Sequence, residues 1–515
     1  MNRKILLFIF LFGFFVRLFF LLNTLPAADG LQYLTYARYV ASMKVIPLGP
    51  TSYQLAEGKH IFRPILGKLL LALGFMVFNE VGAKIVLSVI SSAVIFPMFF
   101  LINKLSSEIT AIYSTLLWSV LPFEILYTSF AYIDGIMAFF GTIGLYFLTK
   151  IIFENKRNND LIYGFLAGSF FGIALLIKVI AFGYLILTLI LSFLLWKRVK
   201  PFPIKPLILL FTTTFMLSSW WYIRNKIFFG SIHGIPEVGN INNLNINLLL
   251  ENLIGNFSEF NGFYVGAIVF NVYQTYPLFF YPWLCFAILH VFTFVLGYLI
   301  AYKKLFDKLK LLLLASFISF ILILGRQQYY GITAIEMTQV RMLIPFIPIF
   351  LILPAKVIEE ISAIQKTVKK ISCLLLISTI ILVILGTTYV NCLMRTKHNN
   401  YEVRTLQELD AIIPKESRIL SSHRSGFLCY YLFPREILSI DFGLNRTLFE
   451  KDMYRALVDS NVSYIYYSNQ LSPQFTKEIF LNDPRFEVMY FTTTKRIGFF
   501  GGETGIYEAW LFELK

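Results

Sequence analysis

The feature that most constrains this chain is a succession of apolar runs, each about 18 to 25 residues long, recurring through roughly its first 390 residues. At 1.5 Å per residue, a helical run of that length covers about 30 Å of hydrocarbon. Inside a bilayer every backbone N–H and C=O must be bonded within the protein, and a helix achieves that within a single segment. Composition agrees: 57% of the 515 residues are hydrophobic, 15% are charged, and 54 are Phe, more apolar surface than a water-soluble core absorbs. The pattern predicts a polytopic α-helical membrane protein with about eleven transmembrane helices over residues 1–395.

The first run, Ile5–Leu22, carries Arg17 and lacks a small-x-small cleavage pattern, so it reads as a span rather than a removable leader. Near Thr396 the composition changes: charges rise and apolar runs shorten to strand length. Ser417–Ser422, Ile437–Asp441, Val462–Ser468, Phe486–Thr494 and Tyr507–Leu514 read as strands, with helices at Tyr401–Ile412 and Leu448–Ser460. This alternation predicts a C-terminal extracytoplasmic α/β domain over residues 396–515.

The net charge is +15, and its distribution excludes a nucleic-acid partner. Most of the excess falls in loops on one side, among them Lys197, Arg198, Lys200 and Lys205, then Lys303, Lys304, Lys308 and Lys310. Such a bias marks the cytoplasmic face. The N-terminus is therefore expected inside the plasma membrane and the C-terminal domain outside it. Four cysteines exclude a disulfide framework. Cys285 and Cys373 fall in apolar runs, whereas Cys392 and Cys429 lie beyond the last span and can pair if the compartment oxidises.

The outer loops hold the chemistry. After the first span comes Asp29, then a stripe of Leu31, Tyr33, Leu34, Ala37 and Val40 that predicts an interfacial helix. Phe62–Asn79 is a second interfacial segment carrying Arg63, Pro64 and Lys68. Spans at Val81–Leu101, Ala111–Tyr127 and Ile136–Ile152 place Asp134 at the same face as Asp29. Leu161–Ile177 and Val179–Trp196 form a hairpin with Lys178 at its turn, and Leu207–Tyr222 delivers Arg224 to the same side. His60, Arg326, Tyr329, Tyr330 and Arg341 belong to outer loops as well.

Ionisable groups at the ends of spans are costly to bury, and so they point to function. A carboxylate can take the proton of an attacking hydroxyl, while Lys or Arg holds the charge of a departing phosphate. The same residues have plainer readings. Asp29 and Asp134 each precede a helix and can serve as N-caps. Lys178, Arg224 and Arg341 can snorkel to the interface, and His60 can be an ordinary loop residue. Residue chemistry alone leaves both sets of readings open.

The segments ADGLQYLTYAR, RPILGKLLLAL, FAYIDGIMAFF, GIALLIK, WYIRNKIFFG and RMLIPFIPIF occur in this order between about Phe12 and Pro354. Together they resemble the GT-C fold glycosyltransferases of the protein O-mannosyltransferase and lipid A aminoarabinose-transferase type. The resemblance implies transfer of a sugar from a polyprenyl-phosphate (dolichyl- or undecaprenyl-phosphate) donor to an acceptor hydroxyl on a protein, lipid or glycan, with inversion. It assigns the base to Asp29, places Asp134 beside the site, and gives donor phosphate binding to Lys178, Arg224 and Arg341. Arg63, His60, Arg326, Tyr329 and Tyr330, in outer loops of the same side, are further candidate contacts.

Two departures from the pattern matter. Asp-Gly replaces the paired acids of many relatives, and Met342 replaces an aromatic residue. No His or carboxylate cluster has metal spacing, so neither a metal nor a cofactor is expected. The oligosaccharyltransferase signature WWDYG is absent. The rival reading, a transporter or flippase for a lipid-linked or anionic substrate, expects inverted repeats and spans broken at the midplane. The sequence shows no internal repeat, and its charges gather at the outer ends of spans.

Overall fold

The computed structural model describes residues 3–26, 29–46, 63–154, 159–196, 202–229, 299, 303, 307–324, 344–363, 401–422, 426–438, 446–469, 475–497 and 503–515. Among them five helices are long and apolar enough to cross a membrane: Arg3–Asn23, Leu66–Leu105, Asp134–Phe153, Asp160–Ile177 and Ile204–Phe228. The expected domain boundary near residue 395 falls outside the described residues.

Helix α1 (Arg3–Asn23) is followed by α2 (Asp29–Met43), the expected interfacial helix, and then by α3 (Leu66–Ala93). α3 is not one straight rod. Phe78 and Asn79 leave helical geometry, Asn79 with φ of 54°, and the chain turns back there. Gly74 and Gly82 then meet so closely that a Cβ on Gly82 would sit 2.0 Å from the Gly74 carbonyl oxygen. Eight residues of straight helix would hold them about 12 Å apart. The reversal separates an interfacial limb ending near Asn79 from the span that continues into α4 (Ile95–Leu105), as the sequence pattern predicts.

The expected third span, Ala111–Tyr127, is broken into α5 (Glu108–Ser119) and α6 (Pro122–Ser129). Pro122 lacks an N–H and cannot continue α5, which leaves the last carbonyls of that helix short of their i+4 partners, with only long bonds such as Leu121 N–H to the Trp118 oxygen at 3.3 Å. Arg17 of α1 supplies the donors, reaching the Trp118 oxygen at 2.8 Å and the Ser119 oxygen at 3.2 Å. Its Nε also donates to Glu124 at 2.5 Å, and the Thr128 hydroxyl completes that carboxylate at 2.9 Å. Arg17 is thus a buried tie between spans rather than a lipid-facing charge.

α7 (Asp134–Phe153), α8 (Asp160–Ile177), α9 (Phe182–Leu195) and α10 (Ile204–Phe229) follow. Gly164, Gly168 and Gly172 form a small-residue stripe on α8 against Pro206, Leu210 and Leu217 of α10, which lets the two backbones touch. Residue numbers rise together along this contact, so the helices run parallel. The C-terminal end of α8, with Lys178, therefore lies beside the C-terminal end of α10, with Arg224, and the Tyr222 hydroxyl seals that end by donating to the Leu175 oxygen at 3.0 Å. α11 (Asp307–Leu324) packs on α9, while α12 (Ile347–Phe350) leads into α13 (Ile352–Ser362), which packs on α5.

The C-terminal part is a five-stranded mixed sheet in the order β2-β1-β3-β5-β4. Its strands are β1 (Arg418–Ser421), β2 (Glu436–Leu438), β3 (Tyr464–Ser468), β4 (Phe486–Ile497) and β5 (Glu503–Leu514). β1 is parallel to both β2 and β3, while β5 is antiparallel to β3 and β4. Leu406, Leu409 and Leu428 cover one face and Leu457 and Phe480 the other, so both sides of the sheet are filled as in an α/β domain. Cys429 is buried there, and its expected partner Cys392 lies outside the described residues. The helix Gly426–Tyr431 docks on α2: Arg38 donates to the Tyr430 oxygen at 2.8 Å, and the Tyr430 hydroxyl bonds Glu80 beyond the reversal.

Candidate active site

α2 places Asp29, Tyr33 and Tyr36 at positions i, i+4 and i+7, which is one face of a helix. That face looks onto the segment leading into α3. Arg63 Nη1 lies 2.7 Å from Asp29 Oδ2 and donates to the Tyr33 hydroxyl at 3.2 Å. Lys68, fully buried, donates to the Arg63 carbonyl at 2.9 Å and stands 4.1 Å above the centroid of the Tyr36 ring. Arg224 is close enough to act electrostatically on both Tyr36 and Lys68. It stacks over Trp221 at 4.6 Å and donates to the Asn225 side chain at 2.7 Å.

A second acid–base pair stands behind the first. Asp134 opens α7, Lys178 follows the last turn of α8, and their side chains form a buried ion pair. Close backbone approaches bind the two layers. A Cβ on Gly30 would fall 1.6 Å from the Phe130 oxygen, and one on Gly67 would lie 2.7 Å from Ile133 and 3.1 Å from Ile177. Gly67 therefore sits between the residues that precede Asp134 and Lys178, and Lys68 is its neighbour.

Of the residues singled out from sequence, Asp29, Arg63, Asp134, Lys178 and Arg224 come together at one end of the bundle. Lys178 is ion-paired with Asp134, and the pair is largely buried. His60, Arg326, Tyr329, Tyr330 and Arg341 lie outside the described residues. Sequence reasoning passed over Lys68 and Tyr36 as candidates for the site, and the structure brings them beside Arg63. For Tyr36 the signal is its seven-residue spacing from Asp29 on a helix already expected. For Lys68 it is a cation inside an apolar stretch, which lipid does not tolerate without partners.

The arrangement is that of a membrane-embedded GT-C fold with an appended α/β domain. The family profile described as dolichyl-phosphate-mannose-protein mannosyltransferase matches residues 62–223. ArnT from Cupriavidus metallidurans, in its apo crystal structure, superposes with a TM-score of 0.61 at 11% identity over 96% of this chain and 95% of that one. The same protein bound to undecaprenyl phosphate gives 0.60 at 11% identity over 99% and 98%. The archaeal oligosaccharyltransferase AglB from Archaeoglobus fulgidus, in complex with an inhibitory peptide and a dolichol-phosphate, gives 0.55 at 14% identity over 90% of this chain and 69% of that one. No curated protein matches the chain by sequence. The likeness of fold runs past Pro354, where the motif resemblance stops, and takes in the C-terminal sheet.

Proposed function

We propose that the protein is a membrane glycosyltransferase that moves a sugar from a polyprenyl-phosphate donor to an acceptor hydroxyl, and that Asp29 is its base. The observation that carries this reading is the Asp29–Arg63 pair on the open side of a cluster of cations. Asp29 is 19% exposed and Arg63 31%, so an acceptor can reach the carboxylate, while the buried Lys68 stands directly behind Arg63.

In the proposed step the acceptor hydroxyl gives its proton to Asp29 as its oxygen attacks the anomeric carbon. The bond from that carbon to the phosphate oxygen breaks, and the electron pair leaves with the polyprenyl phosphate. Attack opposite the leaving group inverts the anomeric centre. Lys68 and Arg224 hold the growing phosphate charge in a site of low dielectric, where such contacts are worth most. Arg63 orients the carboxylate, and the Asp134–Lys178 pair fixes the floor of the site. Arg341 remains a proposed phosphate contact on the strength of the sequence resemblance.

The family profile over residues 62–223 and the shared fold with ArnT and AglB support the lipid-phosphate donor. The loop charge bias supports a cytoplasmic N-terminus, a plasma-membrane location and an extracytoplasmic site and C-terminal domain. The test is transfer of labelled sugar from a panel of polyprenyl-phosphate donors by the full chain in lipid. Wild type should release polyprenyl phosphate and Asp29→Asn should not. Wild type inert with every donor, in the presence of protein, lipid and glycan acceptors, would favour a transporter.

A further inference from the structure

Tyr36 carries a hydroxyl that the fold leaves unspent. The side chain is fully buried, and its oxygen has no hydrogen-bond partner among the described residues. A buried hydroxyl in that state forfeits the hydrogen bonds it makes in water, so it asks for a use. It does not stand in an apolar pocket: Lys68 lies on its ring, and Arg224 acts on it from α10. Burial pushes the phenol above its usual range and Arg224 opposes that shift only in part, so the group keeps its proton and remains a donor. A donor between two cations suits an oxyanion.

Resting on the glycosyltransferase reading, we propose that the Tyr36 hydroxyl donates a hydrogen bond to a non-bridging oxygen of the polyprenyl phosphate as it leaves. The helix gives this role a geometric basis. Asp29 and Tyr36 are two turns apart on one face, about 10.5 Å along the axis. One rigid element then carries the group that takes the proton and the group that receives the leaving charge. The distance between attacking and departing ends is set by a single helix rather than by loops.

Tyr36→Phe removes one atom that makes no hydrogen bond to the described residues, so the fold should be as stable as wild type or more so. Tyr184 is the control: it too is buried with an unbonded hydroxyl, but it lies against Gly141 and Phe171 in the interior of the bundle. The probe is decaprenyl phosphate, with decaprenol as its uncharged partner, titrated against the full chain in lipid nanodiscs. Tyr36→Phe should bind decaprenyl phosphate about tenfold to thirtyfold more weakly, as loss of a hydrogen bond to a charged group predicts. Decaprenol binding should not change, Tyr184→Phe should match wild type, and kcat for sugar transfer should fall with KM for the acceptor unchanged.

If Tyr36→Phe binds the phosphate as wild type does, the assignment is overturned. An equal loss in Tyr184→Phe would overturn it too, because packing would then explain the effect. Should wild type itself fail to distinguish decaprenyl phosphate from decaprenol, the failure belongs to the donor reading rather than to Tyr36.

Discussion

The two acid–base pairs of the site are alike in chemistry and opposite in setting. Asp29–Arg63 lies between α2 and the entry to α3, partly open to solvent, whereas Asp134–Lys178 joins two spans with the carboxylate 2% and the amine 10% exposed. A partly solvated pair contributes little to stability and exchanges partners readily. A sealed pair loses several kcal/mol when one member is removed, because the other charge stays behind in a low dielectric. The difference separates a carboxylate available for proton transfer from one that holds helices together, although both open a helix and both read as caps in sequence.

The largest effect that would break this contrast concerns activity. Asp29→Asn should lower the rate of labelled sugar transfer about a thousandfold, within the range for loss of a general base, while its thermal midpoint in detergent stays with wild type. A variant that melts early and still transfers sugar would reverse the roles of the two pairs. Next comes Asp134→Asn, which should cost about 3–5 kcal/mol of stability. The loss should appear as an earlier thermal midpoint in detergent, and Asp134→Asn combined with Lys178→Met should recover much of it. Additive losses in the double variant would mean that the pair is not coupled.

A smaller effect sharpens the contrast at the domain junction. Arg38→Ala removes the bond to the Tyr430 oxygen and the stacking over Phe433 at 4.9 Å, a loss of about 1 kcal/mol. Faster hydrogen exchange confined to residues 426–431 is the expected readout, and unchanged protection there would show that the domain docks by other contacts. The smallest effect lies in the sheet. Burial raises the Glu508 carboxyl, but bonds from Lys477 and the Trp510 indole outweigh it and hold the group below its ordinary 4.5. A depressed carboxyl stabilises above its unfolded value and loses that contribution as the pH falls through the folded one. Exchange protection of β4 and β5, corrected for intrinsic rates, should therefore weaken below about pH 4.5, and less so in Glu508→Gln. Equal acid sensitivity in both would assign it elsewhere.

Much of the frame was legible in the sequence. Run length marked the apolar helices that the described residues contain, and short apolar runs between turn residues marked the strands of the C-terminal sheet. Asp29, Asp134, Lys178 and Arg224 were legible because they end apolar runs. The sequence marked Lys68 and Tyr36 as residues but not the neighbours they meet, and it gave no sign of Glu124's partner Arg17. Each is brought into place by an event that periodicity does not encode: the turn at Asn79, the break before Pro122 and the parallel glycine contact of α8 with α10. Periodicity reports which face of an element is apolar, not which other element that face will meet.

The reversal at Phe78–Asn79 also decides parity. The limb Leu66–Val77 is about 18 Å long, too short to cross roughly 30 Å of hydrocarbon, so by length the 40 residues from Leu66 to Leu105 hold one candidate span. An even count there would send every later loop to the opposite compartment and part Asp134 from Asp29. A single asparagine at positive φ therefore folds the limb back on the span, in a structure where Asp29 and Asp134 share one end of the bundle.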